Sequence, residues 1–177
     1  ENINTDLLVP EAMARGGRRS ADLGVHGNKV ARKVRGLEPA LADHSLMSIS
    51  AFAPDDPRRR TIQVAGPAAL MVAKLHKLGE RKDQPDRLRD KDALDVYRLL
   101  QASDTPVLAA KIRVLMADPR WEEIIRQAID HLRSLFGSPY AIGSQMAARA
   151  VETVGDPVTV AQSAAALTED LLQAIRN

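Results

Sequence analysis

Beyond Gly66 the chain shows no strand pattern. From there to Asn177 the apolar residues recur at helical spacing, and proline-bearing breaks cut the sequence into segments. Gly66-Pro67 places proline at a first helical position, where its missing N–H costs nothing. That helix is expected to run to about Lys82, where Asp83-Gln84-Pro85-Asp86 breaks it. A second is expected over Leu88 to Ala102. Ser103-Asp104-Thr105-Pro106 caps a third, "VLAAKIRVLMA", and Asp118-Pro119 closes it and opens "RWEEIIRQAIDHLRSLF". "YAIGSQMAARAVETV" follows Gly137-Ser138-Pro139, and a last helix covers about Val158 to Ile175.

The segment before Gly66 reads differently. Ile3 to Pro10 has the aliphatic, β-branched content of a strand. Residues 11–29 are rich in Gly and Arg without a period and read as a long loop, with one short strand at most. Residues 30–41 are ambiguous apart from a short helix at Glu38 to Ala42. Ser45 to Phe52 alternates apolar and polar residues, the pattern of a half-buried strand, and Thr61 to Ala65 is its antiparallel partner across a loop of about 8 residues. Strands followed by helices predict an α+β chain: a small, partly antiparallel sheet in 1–66 and a helical bundle in 67–177.

Composition narrows the function. At 177 residues the chain suits about one domain, and aromatics are 3% of it. Leu, Val, Ile and Ala must therefore build the core, and no platform for stacking bases is on offer. The absence of cysteine excludes disulfides and thiolate metal sites and fits a cytoplasmic setting. No run is long and apolar enough to span a bilayer, and no signal peptide is visible. The formal charge of +2 does not by itself imply nucleic-acid binding, but it hides a basic middle between Arg58 and Arg98. The chain opens at Glu1, without Met, directly in a strand. It reads as the interior of a longer protein, with a frayed terminus as the other reading.

Two helices carry the chemistry. On the first, Ala68, Met71, Leu75 and Leu78 form an apolar stripe. Beside it runs Leu70, Lys74, Lys77 and Arg81, which turns cationic. Lys74 can lay its stem on the core and project its ammonium into a cleft, or it is a snorkelling surface lysine. On the second, Asp92 and Asp95 share a face with Leu88 and Leu99. A carboxylate against apolar surface wants a cation or a metal. The plain alternative is a helix cap with salt bridges to Arg89, Lys91 or Arg98.

"VAGPAALMVAKLHKLGER" followed by "RLRDKDALDVYRLL" resembles the central part of bacterial nucleotidyltransferase-like proteins, the group related to the abortive-infection, type IV toxin nucleotidyltransferases of the AbiEii kind. The shared pattern is a helical lysine, an arginine about two turns on, then Lys/Arg-Asp-x-x-Asp on the next helix. Lys74, Arg81, Lys91-Asp92 and Asp95 stand in those places. The resemblance implies a polymerase-β-like core, of which 1–66 would be the remainder, followed by a helical domain. It implies Mg²⁺ and transfer of a nucleotide from a nucleoside triphosphate to an RNA or protein acceptor. Lys74 and Asp92 would be catalytic, and Asp95 would orient the site. Lys74, Lys77, Arg81, Arg89 and Lys91 would bind the nucleotide. Asp6, in "NTDLLVP", would be a metal ligand, or else a polar residue at a strand edge. A neighbouring antitoxin is the protein partner such a protein would have.

One departure is large. The Gly-Ser motif with Asp-x-Asp that should precede Asp6 is absent; Gly16-Gly17 lies after the strand and is followed by Arg18-Arg19. The chain as it stands is expected to be inert alone. A degenerate module that binds a protein partner or nucleic acid through its basic middle is therefore the second reading. The remaining candidates are plainer. His26, His44, His76 and His131 have no zinc spacing and read as surface or satisfied histidines. No Gly-x-Ser-x-Gly occurs, and Gly24-Val25-His26-Gly27 is too short for a dinucleotide loop. Arg58-Arg59-Arg60 reads as a solvated turn or a phosphate contact.

Overall fold

Among the described residues six α-helices follow Gly66 and every strand precedes it, so the chain is α+β. The computed structural model describes residues 6–15, 17, 19–82, 89–151 and 155–177. Strands β1 (Leu8–Pro10) and β2 (Arg32–Val34) form a short parallel pair, and β3 (His44–Ser50) and β4 (Arg59–Ala65) an antiparallel hairpin. The helices are α1 (Pro67–Gly79), α2 (Asp90–Ala102), α3 (Thr105–Met116), α4 (Glu122–Phe136), α5 (Ile142–Arg149) and α6 (Pro157–Arg176).

The helix starts follow from local chemistry. Pro67, Pro106 and Pro157 all sit in first turns. Asp104 accepts the Val107 N–H at 3.0 Å, and Asp156 accepts the N–H groups of Val158 at 3.3 Å and Thr159 at 3.0 Å. Helix α1 is capped from a distance. Gly66 has no side chain to offer, and buried Asp43, just before β3, accepts the Ala69 N–H at 3.0 Å. Lys111 of α3 donates to the other Asp43 oxygen at 2.7 Å. A Cβ on Gly66 would lie 2.2 Å from Asp43 Oδ1, so glycine is what admits the remote cap.

The predicted stripe of Ala68, Met71, Leu75 and Leu78 is buried in full. It meets Val96 and Leu100 of α2, Ile112 of α3, Ile125, Leu132 and Phe136 of α4, Met146 of α5 and Leu171 of α6 in one core. Burying each such large side chain is worth about 1.5–3 kcal/mol. Ala161 and Ala164 of α6 belong to this core, and Ala165 beside them is buried too.

The segment before Gly66 is where expectation and structure diverge. Only Leu8–Pro10 of the first expected strand is strand; Asp6 and Leu7 are not, and 1–5 lie outside the described residues. Its partner β2 arises in the stretch without a clear pattern, and one mixed sheet is replaced by two separate ladders. The hairpin loop is Ala51 to Arg58, but Arg59 and Arg60 belong to β4 rather than to a turn. β3 is exposed along its whole length rather than half-buried, because among the described residues no helix packs broadly on either face of the hairpin. Helix α1 ends at Gly79 and α5 spans only Ile142–Arg149. Gly16, Arg18, Asp83 to Leu88 and Glu152 to Val154 lie outside the described residues.

Glu38 fastens the early segment to the bundle. It is 1% exposed, and its carboxylate accepts the N–H groups of Ala12 at 3.2 Å and Gly36 at 2.8 Å. Gly36 has φ +87, and a Cβ there would press on His76 at 2.6 Å. Arg35 reaches α4, donating twice to Gln127 Oε1 at 3.2 and 2.9 Å.

His76 is a satisfied core histidine. Its Nε2–H donates to the Ile124 carbonyl at 2.9 Å, and its ring meets that of His131 edge-on at 5.6 Å. Burial lowers the pKa of both rings; Arg35 adds to this at His76, and His76 and Lys82 add to it at His131. The unfolded chain therefore binds more protons than the folded one between the depressed values and about 6.5. Stability from this pair is complete above about pH 6.5 and is lost as pH falls below it. Urea midpoints should drop between about pH 7.5 and 5.5, and His131→Gln should flatten that fall.

Candidate functional site

The cationic stripe of α1 faces the acidic start of α2. Asp92 stands in the first turn of α2 and is 1% exposed. Lys77 Nζ donates to its Oδ1 at 2.7 Å, Lys74 Nζ lies 3.3 Å from the same oxygen, and Arg81 Nη1 lies 3.8 Å from Oδ2. Asp92 Oδ2 makes no hydrogen bond. Lys74 also donates to Asp95 at 2.6 Å. The side-chain partners of Asp92 thus come from α1 and the turn that follows it, and not from Arg89, Lys91 or Arg98 of its own neighbourhood.

Burial alone would push the Asp92 carboxyl up. The hydrogen bond and charge of Lys77, with those of Lys74, outweigh it and hold Asp92 below the ordinary carboxylate value. Lys74 is the mirror case. Burial would lower it, but Asp95 first and Asp92 next raise it above the usual lysine value. The cluster keeps one positive charge in excess: three cations against two carboxylates.

That excess borders a cleft. A cavity of about 560 Å³ opens between the β1–β2 pair and the C-terminal end of α1. Leu8 and Val34 supply apolar wall. Arg19, Arg32, Lys33 and Arg35 line the strand side, and Lys77 and Arg81 the helix side. The carboxylates are Asp6, Glu11 and Glu80, so six cations face three acids. Asp6 lies 3.7 Å from Arg32, and Glu11 3.5 Å from Arg35. A concave site with this surplus attracts anions and suits phosphate groups.

The predicted residues divide accordingly. Lys77, Arg81 and Asp6 line the cleft. Lys74, Asp92 and Asp95 are brought together one layer behind it, with Asp92 gripping the two side chains that reach forward. Arg89 and Lys91 are exposed and line no part of it. Leu88, expected on the face of Asp92, lies outside the described residues. Sequence reasoning missed Arg19, Arg32, Lys33 and Arg35; the dense "ARKVR" at 31–35 was the available signal. For a metal, the described residues contain no group of three or more His, Asp or Glu side chains able to hold one. Asp6 is exposed and already faces an arginine, so these residues do not by themselves fit a resident Mg²⁺.

Comparison with family models, curated proteins and solved structures finds no match. Among the described residues no helix is long and apolar enough to cross a membrane.

Proposed function

We propose that the chain is part of a nucleotidyltransferase-like protein of the toxin and abortive-infection kind, and that the cleft beside α1 holds the triphosphate of a nucleoside triphosphate. The single observation that supports this reading is the surplus of cations around the cleft, continuous with the Lys74–Asp92 cluster that carries the family resemblance. In the reaction, a hydroxyl oxygen of an RNA or protein acceptor attacks the α-phosphorus. The bond from that phosphorus to the bridging oxygen breaks, pyrophosphate leaves, and the hydroxyl proton passes to solvent or a base.

The residues would work by charge and position. Lys77 and Arg81 offset charge on the departing phosphates. Asp92 fixes their direction, and Asp95 holds Lys74 beside them. Arg89 and Lys91 are left for outer contacts with the nucleotide or acceptor. Magnesium belongs to this reading as the companion of the triphosphate rather than as an ion held by the residues described; Asp6, the metal ligand that the resemblance implies, would at most add one carboxylate at the rim of the cleft. An antitoxin and a bacterial cytoplasm belong to it as partner and setting. The second reading, an inactive module of the same fold that binds a protein or nucleic acid, is favoured by one fact: among the described residues no three His, Asp or Glu side chains form a group able to hold a metal ion.

The test is transfer of label from nucleoside triphosphates to total RNA or protein, with Mg²⁺, by the intact protein and by its Lys74→Ala variant. Labelling that the variant lowers by about a hundredfold supports the enzyme. Equal labelling removes Lys74 from the mechanism, and no labelling by either favours the binding module.

A further inference from the structure

The β3–β4 hairpin stands apart from the cleft, and nothing above uses it. Its register sets Ser45, Met47 and Ile49 on one face, opposite Val64, Ile62 and Arg60. That face is apolar and ends in an arginine. Met47, Ile49 and Ile62 are 47%, 45% and 48% exposed, and Phe52 just beyond β3 is wholly exposed. The opposite face carries Ser48, Ser50, Arg59, Thr61 and Gln63, with Leu46 its one large apolar residue. An isolated two-stranded ribbon is marginal in water unless a third strand or a packed face supports it. An uncovered apolar patch marks an interaction site.

The edge is open as well. The bonds Gly66 N–H to Asp43 O, 2.8 Å, and Ala51 N–H to Arg58 O, 3.0 Å, bracket the ladder. By the alternation of antiparallel pairing, residues 60, 62 and 64 turn their backbone groups inward. Arg59, Thr61 and Gln63 turn theirs outward along the free side of β4, where the Arg59 carbonyl accepts from Arg60 Nη1 at 3.0 Å. Three arginines gather at one end of that side. Arg58 is held by Asp56, while Arg59 and Arg60 have no carboxylate partner among the described residues.

We propose that the free edge of β4 accepts a third strand from a protein partner, a segment whose side chains on one face are apolar beside Ile62 and Val64 and end in a carboxylate beside Arg60, with carboxylates on its other face that reach Arg59. Main-chain pairing supplies the affinity in such strand addition, and the side chains supply the choice. Charge favours this occupant over a second copy, because neither β3 nor β4 contains an acid. The apolar face, with no stacking aromatic on either strand, favours it over RNA.

The probe is a displayed library of short random peptides, selected on the whole chain. The expected selection is of sequences that alternate apolar with acidic residues. Thr61→Pro removes one outward N–H and leaves the hairpin's own bonds intact, and it should abolish the selection. Arg59→Glu with Arg60→Glu should reverse it toward basic peptides, and either charge change alone should weaken the original peptides about tenfold. Unchanged circular dichroism and triphosphate binding by each variant exclude misfolding and separate this surface from the cleft. The proposal is overturned by selected peptides without acids or with helical spacing, by no selection, or by binding that Thr61→Pro leaves intact. It is overturned equally by a β4-dependent dimer in sedimentation, or by single-stranded RNA that displaces the peptides.

Discussion

Replacing Asp92 with alanine should cost the chain about 3 kcal/mol or more, the largest loss expected from any single polar side chain in the bundle. The carboxylate is buried, and three cations converge on it. Its removal takes away the carboxylate that Lys77 donates to and that Lys74 and Arg81 approach, and leaves Lys74 with Asp95. Asp92→Asn should lose somewhat less, since the amide oxygen can still accept from Lys77 while the attraction is gone. Asp95→Asn is the control. Asp95 is more than a third exposed and meets one lysine, so its loss should stay within about 1 kcal/mol. Urea unfolding of the three variants measures this. Equal effects at 92 and 95 would mean that Asp92 is no anchor.

Glu38→Ala should produce the second large effect, about 2–3 kcal/mol, through two abandoned backbone N–H groups. The effect should also be local. Glu38 ties Ala12 and Gly36 together, close in sequence to Arg32 and Arg35, and lies outside the helical core. Hydrogen exchange should therefore quicken over residues 7–36 while α3 and α6 keep their protection. Anion binding in the cleft should fall with it, because the strand-side cations would lose their placement. Exchange that quickens uniformly would show instead that the early segment and the bundle unfold as one unit.

Much of the helical half was legible because its signals are local. The stripe from Ala68 to Leu78 and the spacing of Asp92 and Asp95 follow from 3.6 residues per turn alone. The proline breaks at 67, 106 and 119 mark their helices for the same reason. What escaped depends on distance in sequence. Asp43 caps α1 from 26 positions away, and no local pattern announces a cap that arrives from another element. Arg19 and Arg32 reach the cleft only because β1 pairs with β2, and a strand of three residues has too little alternation to read. Ser45 to Phe52 teaches a different lesson. Alternation correctly showed that one face of β3 is apolar, but it carries no information on whether anything covers that face.

Calorimetric titration of the chain with a nucleoside triphosphate tests most directly whether the cleft is a phosphate site. Arg19 and Arg32 are exposed and uninvolved in the Asp92 cluster, so changing both to serine removes cleft charge without disturbing the bundle. A second variant, Arg59→Ser with Arg60→Ser, removes equal charge from the hairpin. The expected result is saturable, salt-sensitive binding that the first variant weakens about tenfold or more and the second leaves unchanged. Absence of binding, or the same loss in both variants, would contradict it.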